Sequence, residues 1–307
     1  MHAGTDDLLE QAAGFIEGGI DAGEPIFVVI DAPTIAMLDV RIGSHPLLTF
    51  ADMAVVGANP ARIIPAWQSF ADGHPAGSPL RGIGRPVWAG RAGQELVECE
   101  RHESLLNLAF AGSANLWVMC PYDVESLDEA TIRGAERTHP SIVGRDRRWA
   151  SESFEGIGAT ASPFDAPLPQ APAAAPTLPF DAEALSSMRP WLAGHAASLG
   201  LSAARIDDLV LAMDELAANS IRHGGGRGVA RIWAAGDAIV CEVADAGSIA
   251  DPLAGRKRPA TDQESGFGLW LVNQLCDLVQ IRTFAAGSVV RLHMRLSDAA
   301  QPSASER

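Results

Sequence analysis

The sequence has little of several things that particular classes of protein require. Lys257 is its only lysine, four cysteines are spread over 307 residues, and no run approaches the roughly 20 apolar residues of a transmembrane helix. The first residues are acidic, whereas a signal peptide begins with a basic region. These absences argue against a disulfide-rich secreted protein and predict a cytoplasmic protein without a membrane-spanning segment.

Positive charge is also scarce. The formal net charge is −15, so the long-range field of the molecule repels phosphate backbones and anionic lipid headgroups. A Walker A loop needs a lysine directly after its glycine-rich turn, and no such lysine is present. The sequence therefore predicts neither nucleic acid nor membrane as a partner, and no P-loop.

The composition is otherwise that of a folded protein with two domains. Hydrophobic residues make up 47% of the chain and charged residues 20%. Residues 156–178 are rich in Pro and Ala without helical or alternating periodicity, which is typical of an extended linker. We therefore expect one domain over 1–155, a second over 179–297 and a flexible tail over 298–307.

In the first domain, short apolar runs alternate with helical segments. The predicted strands are 25–30, 49–56, 85–89 and 115–120, and the predicted helices are 33–41, 60–71, 93–111 and 126–137. Runs that are apolar on both faces, with helices between them, indicate a parallel sheet with crossover helices. This is the α/β arrangement of Rossmann-like folds.

In the second domain, two helices come before the first strands. The predicted helices are 181–198, 202–222 and 267–278, and the predicted strands are 228–234, 238–245, 279–284 and 288–296. The first two of these strands are joined by a short turn in which Gly236 can adopt a positive φ. The order predicts an α/β sandwich, with helices on one face of a mixed sheet.

The second predicted helix carries a set of polar residues on one face. Glu215, Asn219 and His223 stand at positions i, i+4 and i+8. An amide oxygen suits one position of an octahedral Mg²⁺, while a neighbouring carboxylate can accept a proton, as phosphoryl transfer requires. A solvated polar stripe that ends in a histidine is the alternative interpretation.

Two further segments carry features of a nucleotide site. Asp245 follows an apolar strand and can accept a hydrogen bond from an exocyclic amine, while Gly247 lets the backbone approach a flat ring. Gly266 and Gly268 precede an apolar helix whose free amide groups and dipole can bind polyphosphate. Each signal is common alone, but the three segments in this order are far more specific.

Together these segments make residues 181–296 resemble the GHKL ATPase domain, and specifically its anti-sigma-factor serine kinase branch. The residues that match its N, G1 and G2 boxes and its additional histidine are Glu215, Asn219, Asp245, Gly247, Gly266, Gly268, Leu269 and His223. The resemblance implies a Bergerat ATP-binding fold, with Glu215 as general base, Asn219 on Mg²⁺ and Asp245 on the adenine amine. It also implies that residues 248–265 form a lid over the phosphates of ATP.

The lid segment holds the one dense basic cluster of this acidic sequence. Arg256, Lys257 and Arg258 are consecutive there, and cations at this position could neutralise a γ-phosphate. A solvated loop is the alternative interpretation.

The phosphoryl acceptor is predicted to be another protein. A histidine kinase carries its acceptor on a helical hairpin ahead of the ATPase domain, whereas a proline-rich linker stands there in this sequence. The resemblance implies a STAS-type anti-anti-sigma protein as the substrate, sequestration of a sigma factor, and a homodimer. An ATP-binding anti-sigma module without kinase activity and a divergent histidine kinase remain as alternatives, although the retained Glu215 argues against pure sequestration.

Residues 1–145 are similar to the MEDS sensory domain. The similarity rests on the runs GRAGQELVECERHESLLNLAF and VMCPYD, and it implies a RecA-like α/β sensor with a small-molecule ligand. Cys99, His102 and Cys120 could converge on a metal ion, although their spacing is much less diagnostic than a repeated CxxC pair.

Overall fold

The computed structural model describes residues 1–91, 93–112, 115–145, 147–156, 166–259 and 266–296. The chain divides into two compact units, Met1–Ala161 and Ser162–Arg307. The predicted tail and residues 157–165 of the predicted linker lie outside the described residues. Among the helices of the described ranges, none is both long and apolar enough to cross a bilayer.

The first unit is built on a four-stranded parallel sheet, which confirms the α/β prediction. Its strands, in the spatial order β2-β1-β3-β4, are β1 (Ile26–Ile30), β2 (Leu48–Asp52), β3 (Pro79–Gly84) and β4 (Asn115–Met119). Its helices are α1 (Gly4–Ala22), α2 (Ala32–Ile42), α3 (Met53–Val56), α4 (Ile63–Asp72), α5 (Gly93–Phe110) and α6 (Glu129–Thr138). A 3₁₀ turn (Pro60–Arg62) precedes α4, and a small hairpin of β5 (Ser141–Val143) and β6 (Arg148–Ala150) follows α6.

Strand β1 is apolar throughout because both of its faces are covered. Val28 packs in a cluster with Ile16 of α1, whereas Val29 packs on the opposite face with Ile63 and Trp67. Helix α1 was not predicted, although Leu8, Ala12 and Ile16 repeat along it at helical spacing and are buried.

The prediction of a strand over 85–89 is wrong, because β3 ends at Gly84. Strand β3 is hard to recognise in the sequence because Gly82 and Gly84, which face the ring of Trp67, contribute no apolar side chain to a strand pattern. A Cβ on Gly82 would lie 2.4 Å from Trp67 Cζ3, and one on Gly84 would lie 3.2 Å from Cζ2. The predicted strand over 49–56 is also too long, because the side chain of Asp52 accepts a hydrogen bond from Ala54 N–H and begins α3.

Over its described residues, the second unit has three helices on a five-stranded sheet, which confirms the α/β sandwich. Its strands, in the order β10-β11-β9-β8-β7, are β7 (Thr177–Asp181), β8 (Arg227–Ala235), β9 (Ala238–Asp245), β10 (Leu278–Phe284) and β11 (Gly287–Arg295). Every pairing among these strands is antiparallel, so the prediction of a mixed sheet is wrong. The helices are α7 (Leu185–Ser198), α8 (Ala203–His223) and α9 (Phe267–Leu275).

The core of the second unit lies between the helices and one face of the sheet. Helix α8 contributes Leu209, Met213 and Leu216, which pack with alternate residues of the strands such as Cys241 and Leu292. The hairpin between β8 and β9 turns at Gly236, whose φ of 61° agrees with the prediction. This packing holds α8 and the end of β9 in fixed register, which positions the polar residues at their ends.

Strand β7 begins at Thr177, inside the segment that the sequence indicated as linker. Among the described strands it pairs with β8 alone, at the edge of the sheet, so Pro179 is tolerated without an amide donor. Phe180 is 3% exposed and packs against Gly228, where a Cβ would lie 2.5 Å from its Cζ. Strand β7 was therefore not predicted because it contains a proline, although its Phe180 packs in the core.

Candidate functional site

The three motifs of the second unit converge at one end of the sheet. Helix α8 brings Glu215 and Asn219 to the first turn of α9, where Gly268 faces them. A Cβ on Gly268 would lie 2.8 Å from Glu215 Oε2 and 3.3 Å from Asn219 Nδ2. The absence of a side chain at Gly268 therefore lets the α9 backbone approach both polar side chains.

Asp245, at the end of β9, is oriented by two hydrogen-bond donors. Its Oδ1 accepts from Gly247 N–H at 2.8 Å, and its Oδ2 accepts from Ser220 Oγ at 2.6 Å. Ser220 follows Asn219 in α8, so this bond ties the carboxylate to the helix that carries the other site residues. A carboxylate fixed in this way can accept a further hydrogen bond from an exocyclic amine without reorganising.

The turn after Asp245 requires glycine. A Cβ on Gly247 would lie 2.7 Å from His223 O and 2.8 Å from Gly224 Cα. The carbonyl of Gly247 accepts a hydrogen bond from Ser288 Oγ at 2.9 Å, which fixes the turn to β11. The main chain around Asp245 is therefore held between the end of α8 and the sheet.

Helix α9 is preceded by Gly266, whose φ of 98° lies in the left-handed region that favours glycine. The amide groups of the first turn of a helix lack intrahelical acceptors, and the helix dipole is positive there. Gly268 lies in that turn beside Glu215 and Asn219. The start of α9 therefore has the properties needed to bind a polyphosphate.

Asn219 presents an oxygen that is suitable for a hard metal ion. Its Oδ1 lies 3.5 Å from Arg222 Nη2, at the long limit of a hydrogen bond. Mg²⁺ prefers oxygen ligands, and both Asn219 and Glu215 are only partly buried. The donor set is therefore compatible with Mg²⁺.

The remaining candidate residues differ in their placement. The His223 side chain is exposed at the end of α8, although its carbonyl contacts the Gly247 turn. In the basic cluster, Arg256 is 3% exposed, Lys257 is half-buried and Arg258 is exposed. The three cations therefore do not form one solvated patch, and residues 260–265 of the predicted lid lie outside the described residues.

Two polar residues that the sequence interpretation missed support this site. Asn273 Nδ2 donates to the carbonyls of Gly255 and Leu269 at 2.9 and 3.0 Å, which attaches the basic segment to α9. Ser220 orients Asp245 as described above. Ser220 is buried on the apolar face of the amphipathic helix α8, and Asn273 is buried in the apolar helix α9. A polar residue at a position where the helix pattern predicts an apolar one is the signal that could have identified them.

A second cluster of functional side chains lies in the first unit. Cys120, directly after β4, donates from Sγ to Glu103 Oε2 at 3.2 Å, and His139 Nε2 lies 3.3 Å from the same oxygen. Among the described residues, Cys120 therefore lies with Glu103 and His139 and not, as predicted, with Cys99 and His102. Cys99 Sγ donates to the carbonyl of Pro86 at 3.4 Å, and burial raises the pKa of its thiol to about 12.

The charges in this cluster stabilise one another. Burial raises the pKa of the Glu103 carboxyl, but the hydrogen bond and charge of His139 outweigh it and hold the pKa below its usual value. For His139, burial lowers the pKa, but Glu103 outweighs that effect and raises it. Burial, followed by the Glu103 charge, raises the pKa of the Cys120 thiol well above its usual value.

Comparison with known proteins assigns both units. Residues 1–140 match the family model of the MEDS domain, the methanogen/methylotroph DcmR sensory domain, and residues 178–294 match that of the histidine kinase-like ATPase domain. No curated protein matches the chain. A crystal structure of the RsbU and RsbW domains of a Mycobacterium tuberculosis protein is similar, with 25% identity and a TM-score of 0.31. That similarity covers 41% of this chain and 34% of the other. Residues 1–140 are thus similar to the MEDS sensory domains and residues 178–294 to the histidine kinase-like ATPases, and the α/β sandwich of the second unit agrees with the GHKL fold of the latter.

Proposed function

We propose that the second unit transfers the γ-phosphoryl group of MgATP to a serine or threonine of a partner protein, under the control of the MEDS unit. The observation that carries the proposal is the convergence of Glu215 and Asn219 on Gly268, at the positive end of α9. A potential base, a potential metal ligand and a phosphate-binding helix start are then adjacent, as phosphoryl transfer requires.

Each group has a distinct role in this reaction. Asp245 accepts a hydrogen bond from the adenine amine, and the amides at the start of α9 bind the phosphates. The hydroxyl oxygen of the partner forms a bond to the γ-phosphorus, the bond from that phosphorus to the β–γ bridging oxygen breaks, and ADP leaves. Glu215 takes the hydroxyl proton. Asn219 would hold Mg²⁺, which when bound neutralises phosphate charge.

The segment ahead of the ATPase core favours a protein substrate over autophosphorylation on histidine. Residues 166–184 are all described and contain β7 but no helix. Helix α7 then packs into the core through Met188, Leu192 and Ala196, and His195 contacts the ring of Trp191. By resemblance to the anti-sigma kinases, the proposed substrate is a STAS-type anti-anti-sigma protein, and a sigma factor is a second proposed partner.

Calorimetry tests the nucleotide site in the full chain. We expect MgATP to bind the wild type, Asn219→Ala to weaken binding at least about tenfold, and Glu215→Ala to keep most of the affinity. Asp207→Ala, an exposed change near the N-terminal end of α8, is the matched control and should leave affinity unchanged. A folded wild type that binds no MgATP would remove the kinase proposal.

Transfer is tested with labelled ATP and a panel of STAS-type proteins. We expect acid-stable phosphate on the partner, and no transfer by Glu215→Ala. Label that acid removes from the chain itself would indicate phosphohistidine and therefore a histidine kinase. MgATP binding without transfer to any partner would instead support an anti-sigma module that only sequesters its target.

A further inference from the structure

We propose that Glu103, Cys120 and His139 of the MEDS unit bind one divalent metal ion of zinc type, with a fourth coordination position open to the adjoining cavity. The three residues come from α5, from the end of β4 and from the residue after α6, so the fold of the unit brings them together. One thiolate, one imidazole and one carboxylate form a donor set that favours zinc over the hard ions magnesium and calcium.

The distances between the donor atoms agree with tetrahedral coordination. Zinc lies roughly 2.0–2.3 Å from such ligands, so neighbouring ligand atoms of a tetrahedron are roughly 3.3–3.7 Å apart. Cys120 Sγ and His139 Nε2 lie 3.2 and 3.3 Å from Glu103 Oε2, and all three ligand atoms lie within 4.8 Å of one another. The two distances to Glu103 Oε2 therefore need to change by only a few tenths of an ångström to match this tetrahedron.

The histidine is oriented as a metal ligand is. His139 Nδ1 lies 2.8 Å from the carbonyl of Ala135, so this nitrogen carries the proton and donates it. In the neutral ring the lone pair is then on Nε2, which faces Glu103 and Cys120. A hydrogen bond from the remote nitrogen to a backbone carbonyl is the usual way in which proteins fix the tautomer of a metal-binding histidine.

Glu103 carries a buried oxygen whose bonding is incomplete. Its side chain is 1% exposed, and within the described ranges Oε1 has no hydrogen-bond partner, while Oε2 is shared by Cys120 and His139. An unsatisfied carboxylate oxygen in the interior is costly, and such groups commonly indicate a ligand or ion. A metal ion on this carboxylate would satisfy it.

The cluster borders a cavity of about 290 Å³. Apolar side chains, among them Leu106, Phe110 and Val118, form much of its wall, and the three donor residues lie on its surface. Three protein ligands beside a cavity are typical of zinc sites that keep a position for an exogenous ligand, in contrast to the four ligands of a closed structural site. The proposed ion would therefore be accessible to a small molecule in the sensory unit.

Cobalt serves as the spectroscopic probe in the test. The full chain, freed of metal with a chelator, is titrated with Co²⁺, which gives a near-ultraviolet charge-transfer band when a thiolate coordinates it. We expect one equivalent to bind, with displacement by Zn²⁺. Cys120→Ser should abolish the band, and His139→Gln should weaken binding at least about tenfold. Cys99→Ser, which keeps a donor to Pro86, is the thiol control and should retain the band.

Alkylation of the wild type tests the site without relying on a variant. Zinc should slow the reaction of Cys120 with iodoacetamide, measured on the peptide that contains Cys120 at an alkaline pH at which the metal-free thiol reacts. A folded wild type without a cobalt band, a band that persists in Cys120→Ser, or alkylation of Cys120 that zinc leaves unchanged would each overturn the proposal. In that case the cluster is an internal ion pair of Glu103 and His139 with a bonded thiol.

Discussion

At the scale of single residues, the direction of Asp245 depends on donors from two parts of the chain. Gly247 N–H fixes one carboxylate oxygen and Ser220 Oγ fixes the other. The remaining lone pairs then point in directions set by the protein, and recognition of an amine needs no further ordering. Asp245 and Ser220 are therefore expected to contribute unequally to nucleotide affinity, the first directly and the second through orientation.

We expect Asp245→Asn to weaken MgATP binding about 10- to 100-fold, because a hydrogen bond to a charged group contributes about 1.5–3 kcal/mol. Ser220→Ala should weaken it by less than tenfold, since the bond from Gly247 remains. Calorimetry on the full chain measures both effects. Asp237→Asn, in the exposed turn between β8 and β9, is the control, and equal losses in all three variants would contradict the assignment.

Gly268→Ala is expected to impair the site although it adds one methyl group. The new Cβ would lie 2.8 Å from Glu215 Oε2, so the carboxylate or the start of α9 must shift. We expect at least a tenfold loss of phosphoryl transfer, measured with labelled ATP. Gly194→Ala is the matched control, because its Cβ would meet no atom within 4 Å; it should retain activity and stabilise α7 by up to about 1 kcal/mol.

The site residues differ in how far a sequence can reveal them. Glu215, Asn219 and Asp245 were proposed together because they match the motifs of the GHKL ATPase domain, and the structure places them near one another through Gly268 and Ser220. Ser220 and Asn273 act through contacts with segments 25 and 18 residues away in the chain, so only the folded structure identifies their partners. Cys120 was identified as a candidate ligand, but Glu103 and His139, its neighbours in space, were not.

At the scale of secondary structure, β3 and β7, two of the strands that the sequence did not predict, contain residues that weaken strand patterns. Strand β3 has glycines where the ring of Trp67 fills the space, and β7 has a proline that only an edge position tolerates. In the second unit, the alternating strand β8 and the almost continuously apolar strand β9 were predicted to within one residue. Strand prediction failed where a neighbouring side chain or the sheet edge determined the residue type.

Phe180→Ala tests whether β7 is part of the core of the second unit. Its ring is 3% exposed and packs on Gly228, so truncation should lower the free energy of unfolding by about 3–5 kcal/mol. Urea denaturation measures the effect. Thr177→Ala, an exposed change on the same strand, should alter the free energy by less than about 0.5 kcal/mol. Equal stability of the two variants would show that β7 is dispensable.

At the scale of the whole molecule, the free energy of unfolding at low pH depends on buried titratable groups as well as on the net charge of −15. His293 on β11 is 6% exposed, and its Nε2 lies 3.1 Å from Gln280 Oε1. Burial, helped by the charge of Arg291 and opposed by Asp277, lowers the pKa of His293 to about 4. Since the imidazole is neutral in the folded protein well below its ordinary pKa of 6.5, protons bind preferentially to the unfolded chain.

His293 is therefore expected to reduce the stability of the protein as the pH falls from about 6.5 towards 4. At pH 5 the loss should be about 2 kcal/mol relative to neutral pH, and His293→Gln should remove this component while the effects of the carboxylates remain. Urea denaturation of the two proteins at both pH values gives the difference. An imidazole resonance of His293 that titrates near 6.5 would contradict the prediction.

Because Lys257 is the only lysine of the sequence, a lysine-specific protease can cleave the chain at one position. Cleavage at Lys257–Arg258 divides the 307 residues into two fragments of very unequal size. The bond lies beside the buried Arg256 and two residues after Gly255, which Asn273 attaches to α9. A protease must draw this segment out of its packing before it can cut, so the rate of appearance of the two fragments reports how often the segment detaches from α9, without any label or substitution.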